Sequence, residues 1–129
     1  MRVLVASSSP SLRMLLRSKL RRDRRFAVVA ETSDGDGVLA LSVGYDLVLL
    51  DLRLPGLGVL GVMSRLRVRH PDRSIVVVAS TSVPYLRYAA LQEGAADYLE
   101  IPEELDDLPE RLFACTQSSR HLVVGRVSQ

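Results

Sequence analysis

The chain has 129 residues, 47% of them hydrophobic, with seventeen Lys and Arg against fifteen Asp and Glu and a formal charge of +2. That length suits one core and excludes two ordinary domains, and the near balance of charge excludes recognition of nucleic acid by global basicity. The single cysteine, Cys115, excludes an intrachain disulfide framework and a cysteine-only metal cage, which fits a reducing, cytoplasmic setting.

Short apolar runs at 3–6, 26–30, 47–50, 75–79 and 98–99 are rich in Val and Leu and do not alternate with polar residues. Such runs are expected of strands covered on both faces, so a central parallel sheet follows. The spacers between them read as helices. Ser9 can cap the first, with Pro10 at its first position and Leu12, Leu15, Leu16 and Leu20 on one face. Ser33 or Asp34 starts the second, which carries Val38, Leu39, Leu41 and Ser42 and stops at Gly44. The third spans 58–69 and ends before Pro71. Ser82 with Pro84 opens the fourth, which runs through Leu86, Ala89, Ala90 and Leu91 to Gly94. The fifth places Leu105, Leu108, Leu112 and Cys115 at helical spacing, with Pro109 in its first turn. Residues 118–129 read as a tail or linker stub after a domain spanning 1–117; Leu122, Val123 and Val124 could add a short strand or pack on the last helix, but disorder is the simpler expectation.

Charge is unevenly distributed. Arg2, Arg13, Arg17, Lys19, Arg21, Arg22, Arg24 and Arg25 face only Asp23 within the first 25 residues, whereas 93–110 carries eight acids and no base. The arginine-rich turn at 21–25 has only Phe26 beside it, so it reads as a solvated helix end rather than a nucleic-acid patch. No apolar run reaches the length of a membrane span, and 3–6 is too short for a signal-peptide core. His70 and His121 lack flanking acids at metal-site spacing, and Gly56, Gly58 and Gly61 do not form a dinucleotide fingerprint.

Right-handed crossovers place functional loops at the carboxyl ends of the strands. These ends hold Ser7, Ser8 and Ser9, then Asp51 to Arg53, Ala79 to Thr81, and Glu100 to Pro102. The run YDLVLLDLRLPG at 45–56 resembles the phosphoacceptor segment of receiver domains of bacterial response regulators. VLVA at 3–6, PSLR at 10–13, SDG at 33–35 and GAADYL at 94–99, with Pro102 shortly after, support the likeness over about residues 1–117. The resemblance implies a flavodoxin-like (βα)5 receiver fold: α/β, doubly wound, a five-stranded parallel sheet of order 2-1-3-4-5. It makes Asp51 the candidate phosphoacceptor of a two-component phosphorelay.

In that family an acidic pair after the first strand helps hold magnesium, a Ser or Thr ends the fourth strand, and a Lys before a proline follows the fifth. Here those positions map to Ser7 and Ser8, to Ala79 and to Ile101. A carboxylate attacking a phosphoryl group meets charge repulsion that a cation must offset, so these replacements imply weak or absent Mg²⁺ binding and no other cofactor. Ser80 lies one residue beyond the hydroxyl position and substitutes for it only if the strand has already ended there. Arg53 could fold over the pocket as a guanidinium in place of the cation, or point to solvent. The hydroxyl-rich loop at 7–9 could alternatively bind an anion or a flavin.

Tyr98 falls at the family's switch aromatic and, with Ala79 in place of the hydroxyl that would pull on a phosphoryl group, is expected to be oriented by packing. Tyr85 and Tyr88 join it on a face for protein partners, a histidine kinase or a second copy, formed by the fourth helix, fifth strand and fifth helix. The expectation is thus a signalling module that is not an enzyme, binds neither nucleic acid nor membrane, and carries a degenerate acceptor pocket. A true phosphoacceptor driven by a dedicated kinase is the alternative.

Overall fold

The computed structural model describes residues 1–81 and 83–127, with side-chain surroundings through residue 117. Each Val- and Leu-rich run is extended: β1 (Arg2–Ala6), β2 (Ala27–Thr32), β3 (Leu47–Asp51), β4 (Ser74–Ala79) and β5 (Asp97–Glu100). All pair in parallel, in the order β2-β1-β3-β4-β5. The helices α1 (Pro10–Arg21), α2 (Gly35–Ala40), α3 (Val59–Arg69), α4 (Pro84–Gln92) and α5 (Leu108–Val127) fill the crossovers.

The lack of alternation is explained by two cores. Leu4, Val48, Leu50, Val77 and Tyr98 face one side, where Val38, Val62, Met63, Leu66 and Ala90 of α2, α3 and α4 cover them. Val3, Val5, Leu49, Val76, Val78 and Leu99 face the other, beneath Leu12, Leu16 and Leu20 of α1 and Leu108 and Leu112 of α5. Each fully buried aliphatic side chain contributes about 1.5–3 kcal/mol from the area it removes from water.

Local signals set most helix ends. The Ser9 hydroxyl accepts the Leu12 N–H at 3.2 Å with Pro10 at the first position of α1, and Asp34 Oδ1 accepts the Gly37 N–H at 2.7 Å at the start of α2. Three expectations are corrected. Leu15 is 39% exposed, because Leu12, Leu16 and Leu20 already fill the buried stripe of α1. α2 stops at Ala40 rather than Gly44: Leu41 is already extended (ψ 128°), and Ser42, Val43 and Gly44 are poor helix formers. Leu105 lies in a separate 3-10 turn (Leu105–Asp107) before α5, whose first turn contains Pro109. α4 is capped by Val83, which makes no side-chain capping bond; Ser82 lies outside the described residues. The backbone of 118–127 continues α5, and Ser128 and Gln129 lie outside the described residues.

Candidate functional site

An all-parallel sheet aligns the carboxyl ends of its strands at one edge, so chain segments far apart in sequence meet there. Asp51 closes β3 and is 4% exposed. Its Oδ2 accepts a hydrogen bond from the Ser7 hydroxyl at 2.6 Å, and its Oδ1 accepts the Arg53 backbone N–H at 2.9 Å. Ser7, fully buried one residue beyond β1, donates its own N–H to the Thr32 carbonyl at 3.0 Å and so extends the β1–β2 ladder. The Ser7 hydroxyl oxygen also accepts the Ser9 N–H at 3.0 Å. Both its donor and an acceptor lone pair are therefore used, and the side chain has one orientation that satisfies them.

Arg13, from the matched PSLR segment, and Glu31, from outside any matched segment, hold this loop. The Arg13 guanidinium donates to the Ser7 carbonyl and lies 3.4 Å from Glu31, which also pairs with Arg17 at 2.5 Å. Arg13 and Glu31 belong to different elements and are joined only when β2 lies beside β1, so no spacing pattern announces them.

The remaining candidates are placed as follows. Ser8 is exposed, and so is Arg53, which meets Asp51 through its backbone amide. Ala79 ends β4 buried, with a methyl group that can make no hydrogen bond. Ser80 follows the end of the strand and is exposed. Ile101 is buried in the apolar cluster on the α1 and α5 side, and its N–H donates to the Ala79 carbonyl at 2.8 Å.

Tyr98 is fully buried, and its hydroxyl has no well-formed hydrogen bond among the described residues. Burial and the charge of Glu100 push its pKa up, against a weaker pull from Arg87 and the nearby Val83 backbone. The Arg87 guanidinium stands 5.3 Å from the ring centroid and 3.9 Å from Glu100. Tyr85 and Tyr88 are 76% and 66% exposed on α4, so the three tyrosines divide into one inside and two outside.

Behind β5, Arg111 grips Asp97 through two nitrogens at 2.6 and 2.7 Å and Glu104 through a third at 2.6 Å. Burial works to raise the Asp97 pKa, but the Arg111 bonds and the Tyr98 N–H hold it below the usual carboxylate range. Glu104 is held low by the Glu100 N–H and by Arg111. Sequence reading missed this cluster because its members meet only once α5 folds back on β5.

Among the described residues, no group of three or more His, Cys, Asp or Glu side chains comes together as a metal cage would, and no helix is long and apolar enough to cross a membrane.

The sequence is 32% identical over 120 residues to the transcriptional regulatory protein DltR of Streptococcus agalactiae serotype III (strain NEM316), covering 92% of this chain and 53% of that one. It is 33% identical over 118 residues to the transcriptional regulatory protein TcrA of Mycobacterium tuberculosis (strain ATCC 25618 / H37Rv), covering 90% and 46%. A protein-glutamate methylesterase/protein-glutamine glutaminase of Geobacter metallireducens is 34% identical over 136 residues, covering 98% and 38%, so one relative is an enzyme. The chain thus spans about half or less of the length of these relatives. Among solved structures, the signal receiver domain of NarL from Mycobacterium tuberculosis superposes with a TM-score of 0.78 at 27% identity, covering 90% of this chain and 95% of that one. RcsB of Salmonella typhimurium gives 0.83 at 21% identity, covering 92% and 60%, a likeness of fold alone. The model of the response regulator receiver domain matches residues 3–113, which takes in all five strands but for the first residue of β1, and the buried acid at the end of β3. Sheet order, sequence relatives and family model agree: the chain belongs to the response regulator receiver domain family of two-component systems.

Proposed function

We propose that this receiver domain is a signalling module with a degenerate acceptor pocket, acting through protein partners rather than through metal-assisted phosphorylation of Asp51. The observation that carries the reading is the state of the Asp51 carboxylate. Both oxygens are hydrogen-bonded by the chain itself, one of them by Ser7, which stands where the resemblance expects an acid.

Magnesium seeks several oxygen ligands, charged ones among them. Asp51 with a buried Ser7 hydroxyl and an exposed Ser8 does not fit that demand. Each absent carboxylate forgoes attraction on the order of a few kcal/mol at an effective dielectric constant of about 20. Ala79 and Ile101 add neither the hydroxyl nor the cation that would receive a phosphoryl group. On this reading the chain needs no cofactor, is not an enzyme, works in the cytoplasm and contacts neither nucleic acid nor membrane. Its partners are proteins: a histidine kinase, an output protein, or a second copy meeting it across α4, β5 and α5.

The test is incubation with acetyl phosphate and Mg²⁺ followed by intact-mass measurement. The expected result is an unmodified mass. A stoichiometric phosphoryl adduct that disappears in Asp51→Asn would overturn the proposal and establish the ordinary acceptor, a reading favoured by the retention of Asp51 at the end of β3. An adduct formed only with a kinase would identify an acceptor served by a dedicated donor. Anion or flavin binding at the 7–9 loop draws less support, because the Ser7 and Ser9 hydroxyls are both engaged internally.

A further inference from the structure

The amino ends of the strands, remote from Asp51, carry charge that the chain does not neutralise. Arg21 ends α1, and Arg22 and Arg24 follow it in the turn to β2; all three are exposed, and none is in an ion pair among the described residues. The acids that pair with this part of the chain go elsewhere. Asp23 and Glu110 hold Arg25, Glu31 holds Arg13 and Arg17, and Asp106 holds Lys19.

The same turn leads into an open edge. β2 is outermost in the sheet and pairs with β1 alone, so no strand covers its other side among the described residues. Ala27 is exposed and Val28 to Thr32 are partly buried, whereas every residue of β3 is buried. An edge strand offers unpaired N–H and C=O groups to an extended chain laid against it. Where this edge meets α1, Arg17, Arg21, Phe26, Ala27 and Val28 line a half-open groove of about 290 Å³.

These features suit one kind of occupant. The free backbone of β2 takes an extended polypeptide, the apolar part of the groove takes a hydrophobic side chain, and the unneutralised guanidinium groups take carboxylates. A nucleic acid would supply the charge but no backbone ladder, and Phe26, the aromatic residue beside the arginines, is too buried to stack on bases.

We propose that β2 accepts an extended acidic segment of a partner protein as an added strand, with its carboxylates set against Arg21, Arg22 and Arg24 and an apolar side chain in the groove. The surface belongs to the same partner-binding module, but Asp51 lies at the opposite ends of the strands, so failure of peptide binding here and an adduct at Asp51 are separate results. The experiment titrates the full chain with a capped hexapeptide of alternating Glu and Val while backbone amides are followed by NMR. The same peptide with Lys for Glu and a short oligothymidylate serve as comparisons.

Saturable shifts confined to 17–32 are expected with the Glu peptide, together with slowed hydrogen exchange of amides within 27–32, which charge attraction alone would not produce. Binding should weaken as salt rises. Arg21→Glu with Arg24→Glu should weaken it by about tenfold or more, because like charges then face the peptide. The milder Arg21→Gln with Arg24→Gln keeps the inference testable if charge reversal perturbs folding. No saturable shift up to about 5 mM, weaker than ordinary specific binding, overturns the proposal. So does equal binding of the Lys peptide, undiminished binding in both variants, or binding that leaves the β2 amides exchanging as before. Tighter binding of the oligothymidylate at the same residues would overturn it in favour of a nucleic acid, and salt-sensitive self-association abolished by the same variants would assign the edge to a second copy instead.

Discussion

A buried carboxylate without an ion-pair partner among the described residues must be satisfied by hydrogen bonds, and at Asp51 one of the two comes from a side-chain hydroxyl and the other from a backbone amide. Ser7→Ala removes the bond to Oδ2 and leaves the Ser9 N–H without its acceptor. The expected cost is about 1.5–3 kcal/mol, the range for bonds to charged groups, measured by urea unfolding at neutral pH. A change below about 0.5 kcal/mol, the level of an ordinary surface substitution, would mean that water replaces Ser7 at no cost. Ser7→Asp with Ser8→Asp makes the complementary test. Three carboxylates should then require a cation, so the double variant is expected to be less stable than the parent in EDTA and to recover with millimolar Mg²⁺, whereas the parent should respond to neither. Cys115 gives a different kind of residue-scale prediction. Burial and the nearby Asp97 charge push its thiol up to about 11. At pH 8 it should resist iodoacetamide in the folded protein and react once urea unfolds it. Asp51 and the residues facing it could be recognised in the sequence because the motif travels with the ends of strands. The use of Ser7 as a hydrogen-bond donor, and its support by Arg13 and Glu31, could not, since those contacts depend on three segments meeting across β1, β2 and β3.

Elements were legible to the extent that their determinants are local. Ser9 with Pro10, Asp34 and the Val and Leu runs act within a few residues, and the structure places α1, the start of α2 and all five strands where they imply. The early end of α2 reflects a competition that periodicity does not register: the apolar spacing of Leu39 and Leu41 favours helix, but the chain has only four residues, 41–44, in which to turn back towards Tyr45 at the entrance to β3. The link between β5 and α5 is likewise non-local. Arg111 draws Asp97 and Glu104 together, and their folded-state pKa values lie below the ordinary ones. Groups with depressed values contribute stability that is present above their unfolded pKa and lost as pH falls through the folded one. Arg111→Met is therefore expected to cost about 1–2 kcal/mol at pH 7, discounted for the partial exposure of all three side chains. The difference from the parent should close as pH falls below about 4, where the unfolded carboxylates take up protons. A difference that stayed constant down to pH 2.5 would trace the loss to the packing of the arginine stem instead.

Over the whole molecule, the exposed side chains and the charge asymmetry make separable statements about self-association. Tyr85, Tyr88 and Leu91 are 76%, 66% and 40% exposed at three-residue spacing, which gives α4 an apolar face beside β5. A twofold pairing across this face brings like surfaces together. The acidic stretch 93–110 would then face its own copy. Arg111, Lys19 and Arg25 neutralise several of its acids, but Glu103 and Asp107 are exposed without an ion pair among the described residues. A dimer built this way should tighten as salt is raised from about 0.05 to 0.5 M, because screening removes like-charge repulsion within a Debye length that shrinks over that range. A head-to-tail contact that seated the exposed Arg21, Arg22 and Arg24 on the acidic stretch of the next copy would do the reverse, and could extend into open chains. Sedimentation equilibrium at two salt concentrations distinguishes the two arrangements. The α4 pairing predicts a dimer favoured by salt and converted to monomer by Tyr85→Ala with Tyr88→Ala. A dimer weakened by salt and indifferent to both substitutions would remove α4 from the contact and assign it to the basic end of α1.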